Sequence, residues 1–130
     1  MSAHELVGIG NAMVDVLATV DEVFLREQSL EKGAMTLMDT DRASEIYAKM
    51  PVGQEVSGGS CGNTMAGFAS LGGRGAFIGK VRDDQLGNVF RQDMKLIGVD
   101  FFTAAMTEGP QTGSCLVLIT PDAQLSLIHI

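Results

Sequence analysis

Two short segments bring glycine and asparagine together in a way that suits a polar ligand. Gly8-Ile9-Gly10-Asn11-Ala12-Met13-Val14-Asp15 lies near the start of the chain, and Ser57-Gly58-Gly59-Ser60-Cys61-Gly62-Asn63-Thr64 opens a helical stretch. Glycines let a ligand come close to the backbone, and amides at a helix start point toward it. Asn63 adds one acceptor and two donors. Asp15 interrupts the apolar run from Met13 to Val20, where a carboxylate is costly to bury unless it is paired. Its two oxygens can accept from two neighbouring hydroxyls at once, which matches a vicinal diol on a sugar. Each feature also has a plain structural explanation. Asp15 could face solvent or take a nearby backbone amide, and Gly58-Gly59 could be an ordinary turn with Asn63 in the capping turn of the helix.

Other chemistries fit less well. Gly8-x-Gly10 after a strand resembles the start of a dinucleotide fingerprint, but Met13 occupies the place of the third glycine and strand-like sequence follows instead of a helix. No Gly-x-x-x-x-Gly-Lys-Ser/Thr segment is present, so the chain is not read as a P-loop nucleotide binder. The loop Gly79-Lys80-Val81-Arg82-Asp83-Asp84-Gln85-Leu86-Gly87 has a basic pair, but the adjacent aspartates offset it and make an acidic helix cap. Cys61 and Cys115 are far apart, with no Cys-x-x-Cys and no histidine beside them, and are read as reduced thiols. His4 and His129 lie at opposite ends, so no metal site is expected.

The formal net charge is −7 and Lys and Arg form no cluster, which argues against a nucleic-acid partner. Hydrophobic residues make up 45% of the 130 residues but aromatics only 5%, a composition for an aliphatic core rather than disorder. No stretch has the length of a membrane span, and the first residues have no basic region leading into an apolar core. A cytoplasmic protein without a membrane partner is expected.

The elements that must position these groups can be read from period and punctuation. Leu6 to Ile9 and Met13 to Val20 read as strands, Glu22 to Gln28 as a short helix capped by Asp21, and Ala34 to Met38 as a strand. Asp39 or Thr40 caps a helix through Met50, which Pro51 and Gly53 stop. Gln54 to Ser57 is extended. A helix over Asn63 to Leu71 follows, with Met65, Phe68, Ala69 and Leu71 inward and Gly72 ending it. Ala76 to Val81 is a strand. A helix starting at Asp83-Asp84 places Leu86, Val89, Phe90, Met94 and Ile97 on one face and stops at Gly98. Val99 to Thr103 and Ser114 to Thr120 are strands, and Pro121-Asp122-Ala123 turns into a last apolar run. Alternation from Gln54 onward predicts a parallel sheet with crossover helices. The strand-rich part from Met13 to Met38 breaks that alternation and reads as an additional sheet.

Taken in order, these segments resemble the ribokinase-like (PfkB) family of carbohydrate and nucleoside kinases. The resemblance is carried by Gly-Asn-Ala-Met-Val-Asp after the first strand and by Gly-Gly-Ser-Cys-Gly-Asn at a helix start. The third and most specific part is Ala-Ser-Leu-Gly-Gly-Arg-Gly-Ala-Phe-Ile-Gly-Lys-Val-Arg-Asp-Asp-Gln-Leu-Gly, close to the family's first signature. Gly-Asn-x-x-x-Asp and Gly-Gly-Ser-x-x-Asn lean toward the adenosine-kinase-like branch. The resemblance implies the N-terminal part of a doubly wound α/β/α fold with a small β-sheet lid. It spans residues 1–124, with lid strands mainly within 13–38 and part of 110–124. It also implies phosphoryl transfer from ATP with Mg2+ to a hydroxyl of a small-molecule sugar or nucleoside. By matching positions, Asn11 and Asp15 hold sugar hydroxyls, Gly58, Gly59 and Asn63 complete the cradle, and Met35 and Leu37 are apolar lid contacts. Some members pair through their lids, so a homodimer of the full-length parent is a further expectation.

The chain departs from the family at Cys61-Gly62, where many members carry other small residues, and more seriously in length. Family members are more than twice as long. Their Gly-Ala-Gly-Asp segment, with the anion hole and the Asp base, lies near the C-terminus, as does most of the ATP-binding region. No such segment occurs here, so no catalytic residue is assigned and the chain alone is expected to be inactive. Residues 125–130, Leu-Ser-Leu-Ile-His-Ile, stand where an Arg-Thr-Met-like strand is expected and are read as a non-native tail. An open sheet edge near them predicts association in solution. The alternatives are a stand-alone sugar- or nucleoside-binding module without catalysis, or a non-functional gene fragment.

Overall fold

The computed structural model describes residues 3–51 and 53–129. Met1 and Ser2, the start of the region read for a signal peptide, and Ile130, the end of the expected tail, lie outside the described residues. The elements in chain order are β1 (Leu6–Ile9), β2 (Met13–Thr19), α1 (Glu22–Glu27), β3 (Met35–Leu37), α2 (Thr40–Lys49), β4 (Gln54–Gly58), α3 (Ser60–Ser70), β5 (Gly75–Ile78), α4 (Gln85–Ile97), β6 (Gly113–Ile119) and β7 (Leu125–His129). The chain is a mixed α/β structure that divides into two compact units, Met1–Val14 with Val56–Gly113 and Asp15–Glu55 with Ser114–Ile130.

The first unit is the α/β one. β1 and β5 pair in parallel, Leu6 with Gly75 through Ile9 with Ile78, whereas β4 and β6, which the alternation from Gln54 onward placed in one parallel sheet with β5, pair in the five-stranded sheet instead. Phe77, Phe90 and Phe101 form its centre with ring centroids 5.3–5.6 Å apart, joined by buried Met65, Val81, Met94 and Val99. In α4 the expected stripe is only partly buried. Phe90 and Met94 are inside, while Ile97 in the last turn is exposed. Asp84 caps α4 and Gly98 ends it in the left-handed conformation, which an L side chain adopts at a cost.

Four further local expectations are corrected in this unit. α3 starts at Ser60, three residues earlier than expected, because Gly59 at φ 84° serves as its N-cap. Leu71 points to solvent instead of the core. It sits at the C-cap, where the chain leaves the helix for Gly72 at φ 90°. The strand expected over Val99 to Thr103 is a single bridge between Ala76 and Asp100. Its ladder consists of the Phe77 N–H to Asp100 O and Asp100 N–H to Gly75 O bonds, too short a pairing for a strand. β5 likewise stops at Ile78, before the expected Val81, and pairing resumes as a bridge between Arg82 and Met106.

The second unit carries most of the additional sheet, five strands in the order β3-β7-β6-β2-β4. β7 is antiparallel to β6 and parallel to β3. Alternation along the strands separates two faces. Val16, Ala18, Leu116, Leu118 and Ile128 are buried, and Leu25, Ala43 and Ile46 of α1 and α2 complete the core. Asp21 and Asp39 cap those helices through the Phe24 and Arg42 amides. Lys32 joins Glu22 and Asp122, each at 2.6 Å. That contact, with the Thr120 hydroxyl, holds Asp122 down at about 2. The stretch read as a non-native tail, as far as residue 129, is paired on both sides. Ser126 within it accepts from the Gly33 amide at 2.9 Å.

Candidate functional site

In the first unit the two glycine-asparagine segments meet. A side chain at Gly10 would put its Cβ 2.6 Å from the Cβ of Cys61, and one at Gly8 would sit 2.8–2.9 Å from Cys61 Sγ and Met65. These glycines therefore let the first turns of α3 lie directly on β1. Cys61, where the sequence departs from the family pattern, fills that notch. Gly59 faces the segment after β1: its Cβ would come 3.2 Å from the Asn11 carbonyl oxygen and 3.3 Å from Met13. Its φ of 84° independently disfavours a side chain.

Asn11 is exposed in the connection after β1, Gly58 is buried at the end of β4, and Asn63 is exposed on α3. The Asn63 amide donates to the Gly59 carbonyl at 2.9 Å as an ordinary helical bond. Its side chain is therefore one turn inside the helix and is not the cap. No side chain caps α3, so its opening amides are presented to whatever lies beyond Gly59. Two positioning residues were not apparent from the sequence. Asp93 accepts from the Ser57 amide at 2.7 Å and so ties the residue before Gly58 to α4. Met13 packs beside both Gly59 and Gly113, whose Cβ would lie 2.8 Å from its sulfur. Spacing along the chain gives no signal for either, because both act across long sequence separations.

The loop after β5 is structural. Asp84 accepts from the Gly87 amide (2.8 Å), the Thr112 amide (2.9 Å) and the Thr112 hydroxyl (2.7 Å). Burial alone would raise its pKa, but these bonds, aided by Arg82, hold it below the usual carboxylate value. Lys80 donates to the Ala104 carbonyl at 2.7 Å. Lys80 is thus engaged within the unit, while Arg82 acts on Asp84 through its charge.

In the second unit Asp15 is half-buried on β2, between the buried positions Val14 and Val16. Burial raises its pKa, and His129 opposes that rise. Among the described residues no hydrogen bond to its carboxylate is present, so this carboxylate is left with acceptor capacity. Cys115 shares its surroundings. Burial pushes the thiol up, and the Asp15 charge adds to that. Cys115 pairs with His129, which pairs with Leu37, so these side chains line one sheet face. Met35 and Leu37 on β3 are 62% and 73% exposed, apolar groups left in contact with water. The structure thus gathers Asn11, Gly58, Gly59 and Asn63 in one unit and Asp15, Met35 and Leu37 in the other.

The family model described as "pfkB family carbohydrate kinase" matches residues 33–129. Among solved structures, the chain is similar to an adenosine kinase from Sinorhizobium meliloti. The identity is 43%, the TM-score 0.80, and the match covers 98% of this chain and 40% of that one. It is also similar to a "probable sugar kinase protein" from Rhizobium etli CFN 42, at 38% identity and a TM-score of 0.82 over 98% of this chain and 39% of the other. A curated relative, "Probable fructokinase-3" of Arabidopsis thaliana, is 28% identical over 119 residues, which is 92% of this chain and 28% of the relative. The chain therefore spans about two fifths of those structures and less of the plant relative. With more than half of its length matched by the family model and its fold shared throughout, the chain belongs to the pfkB family of carbohydrate kinases.

Proposed function

We propose that this chain is the substrate-binding part of an ATP-dependent sugar or nucleoside kinase of the adenosine-kinase-like kind, working in the cytoplasm, where ATP is at hand. The observation that carries the reading is the junction in the first unit. Two glycine-asparagine segments far apart in sequence come together at an uncapped helix start, with Gly59 so close to Asn11 that no side chain fits comfortably between them. In this reading Asn11, Gly58, Gly59 and Asn63 cradle the acceptor, Asp15 accepts from a pair of its hydroxyls, and Met35 and Leu37 give apolar cover from the lid sheet. Asp15 acts as an anchor. A carboxylate engaged by two hydroxyls is not free to take the proton from the hydroxyl that attacks. What these residues supply is orientation, fixing the acceptor so that one hydroxyl is presented for transfer.

In this reading the groups that hold ATP and Mg2+ lie mostly outside these residues. Among the described residues no group of three or more His, Cys, Asp or Glu side chains comes together around a possible ion, and Lys80 of the loop after β5 is held by the Ala104 carbonyl. No step through the nucleotide or the metal is therefore derived, and we propose that these 130 residues bind an acceptor without transferring phosphate. Calorimetric titration with adenosine, ribose and fructose tests the first claim. At least one should bind, and Asp15→Ala should weaken it by tenfold or more. Unchanged affinity in the variant would remove Asp15 from the site. Measurable ATP-dependent phosphorylation by the chain alone would overturn the second claim.

A further inference from the structure

The first unit has a cleft at the end of its parallel strand pair away from the acceptor segments. Asn11 follows the end of β1, whereas His4, before its start, meets Asp100 Oδ2 at 2.7 Å. Asp100 lines a cleft of about 400 Å³ at the C-terminal end of α4, together with Arg91, Lys95, Gly98, Phe101 and Phe102. That volume suits a small molecule. The lining groups are unevenly engaged. Phe101 is buried beneath the Arg91 guanidinium, which lies 5.0 Å from the ring centroid and donates to the Thr103 carbonyl at 3.0 Å. Phe102 is 79% exposed. Asp100 is taken up by His4, and among the described residues neither Arg91 nor Lys95 has a carboxylate partner. These two cations stand one turn apart on α4, so their like charges oppose each other. The carbonyl end of the helix offsets part of that repulsion, and an anion between them would offset the rest. Helix-end electrostatics does not account for the phenyl ring left in water beside them.

We propose that this cleft is a binding site, separate from the acceptor cradle, for a small molecule that joins a flat aromatic ring to an anionic group. The ring stacks on Phe102 and the anion lies between Arg91 and Lys95. Arg91 is held ready by its contact with Phe101 and its bond to Thr103, which leave most of its N–H donors for a ligand. Lys95 adds a compact charge on a flexible stem. Stacking on one exposed ring is weak alone, and so is an anion on two exposed cations. Joined in one molecule, the two contacts share a single loss of translational freedom, which is why the ligand carries both. A nucleoside monophosphate and an aromatic carboxylate both have this chemistry. The site rests on the cleft itself and not on the assignment of the acceptor cradle.

The experiment is a nuclear magnetic resonance titration of the isotope-labelled 130-residue chain with AMP, indole-3-acetate, adenosine and inorganic phosphate, read at each amide. AMP or indole-3-acetate should shift the amides of residues 95–103 and saturate them, and the tighter of the two tells phosphate from carboxylate. Adenosine, which lacks the anion, and phosphate, which lacks the ring, should act there at least tenfold more weakly. Lys95→Glu and Phe102→Ala, both at exposed positions, should each weaken the binding more than tenfold while the rest of the spectrum stays in place, which shows that the fold is kept. Shifts confined to residues 9–13 and 57–63 would assign the ligand to the acceptor segments and overturn the proposal. So would the absence of shifts at residues 95–103, phosphate binding as tightly as AMP, or unchanged affinity in both variants.

Discussion

Asp84 and Asp15 are both half-buried carboxylates, one in each unit, and their surroundings treat them oppositely. Asp84 accepts three hydrogen bonds and is held in its charged form below the usual pKa, despite partial burial. Asp15 accepts none among the described residues, and burial raises its pKa. The first arrangement stabilises a helix end and closes a loop. The second leaves a charged acceptor underused in the folded protein, which is the state expected of a group that waits for a ligand. Sequence position separates the two, with Asp15 inside the apolar run from Met13 to Val20 and Asp84 at a helix start, but it does not say what each one accepts.

The sharpest way to break this contrast is to remove both carboxylates separately. Asp84→Ala should destabilise the α/β unit by about 2–3 kcal/mol, from a lost helix cap and two stranded Thr112 donors. Urea denaturation followed by far-ultraviolet circular dichroism would show it, and a loss below about 0.5 kcal/mol would mean that the network is dispensable.

Asp15→Asn should act in the other direction and more weakly, raising stability at pH 7 by roughly 0.5 kcal/mol while abolishing acceptor binding. The pH dependence has a definite sign. Because the folded pKa of Asp15 is raised, its contribution is most favourable below the unfolded value near 3.8 and is lost as pH rises through the folded value. The variant's advantage should therefore appear at neutral pH and vanish in acid. Thermal melts at pH 3.5 and 7 read this directly, and a destabilised variant at pH 7 would show that Asp15 is structurally satisfied.

The smallest effect sharpens the assignment to the second unit. Tyr47 is the single tyrosine of a chain without tryptophan, and its hydroxyl donates to Glu55, which pushes its pKa up to about 12. Glu55→Gln should move the ultraviolet tyrosinate transition toward 10. An unshifted titration would deny the contact. Since the raised value reflects a stabilised neutral phenol, the stability it confers is present below pH 10 and is lost as pH rises through about 12.

Much of the framework was legible because its signals are local. Asp21, Asp39 and Asp84 cap the helices they precede, and Gly98 ends α4. The misreadings share one cause. Leu71 has the period of a core residue but sits beyond the last turn, and Val99 to Thr103 has strand composition but only one pairing. Periodicity reports which side chains suit burial or extension, not whether a neighbour is present to complete it.

The sequence by itself determined the family, because Gly59, Asn63 and Asp15 lie in collinear motifs whose residue types have restricted uses. Only the tertiary structure decided what each group faces. It showed that Gly8 and Gly10 make room for Cys61, that Asp93 secures Ser57, and that Asp84 is satisfied while Asp15 is not. The physical reason is range. Caps and turns are settled within a few residues, whereas close approach, desolvation and hydrogen bonds between distant segments exist only once the chain has folded.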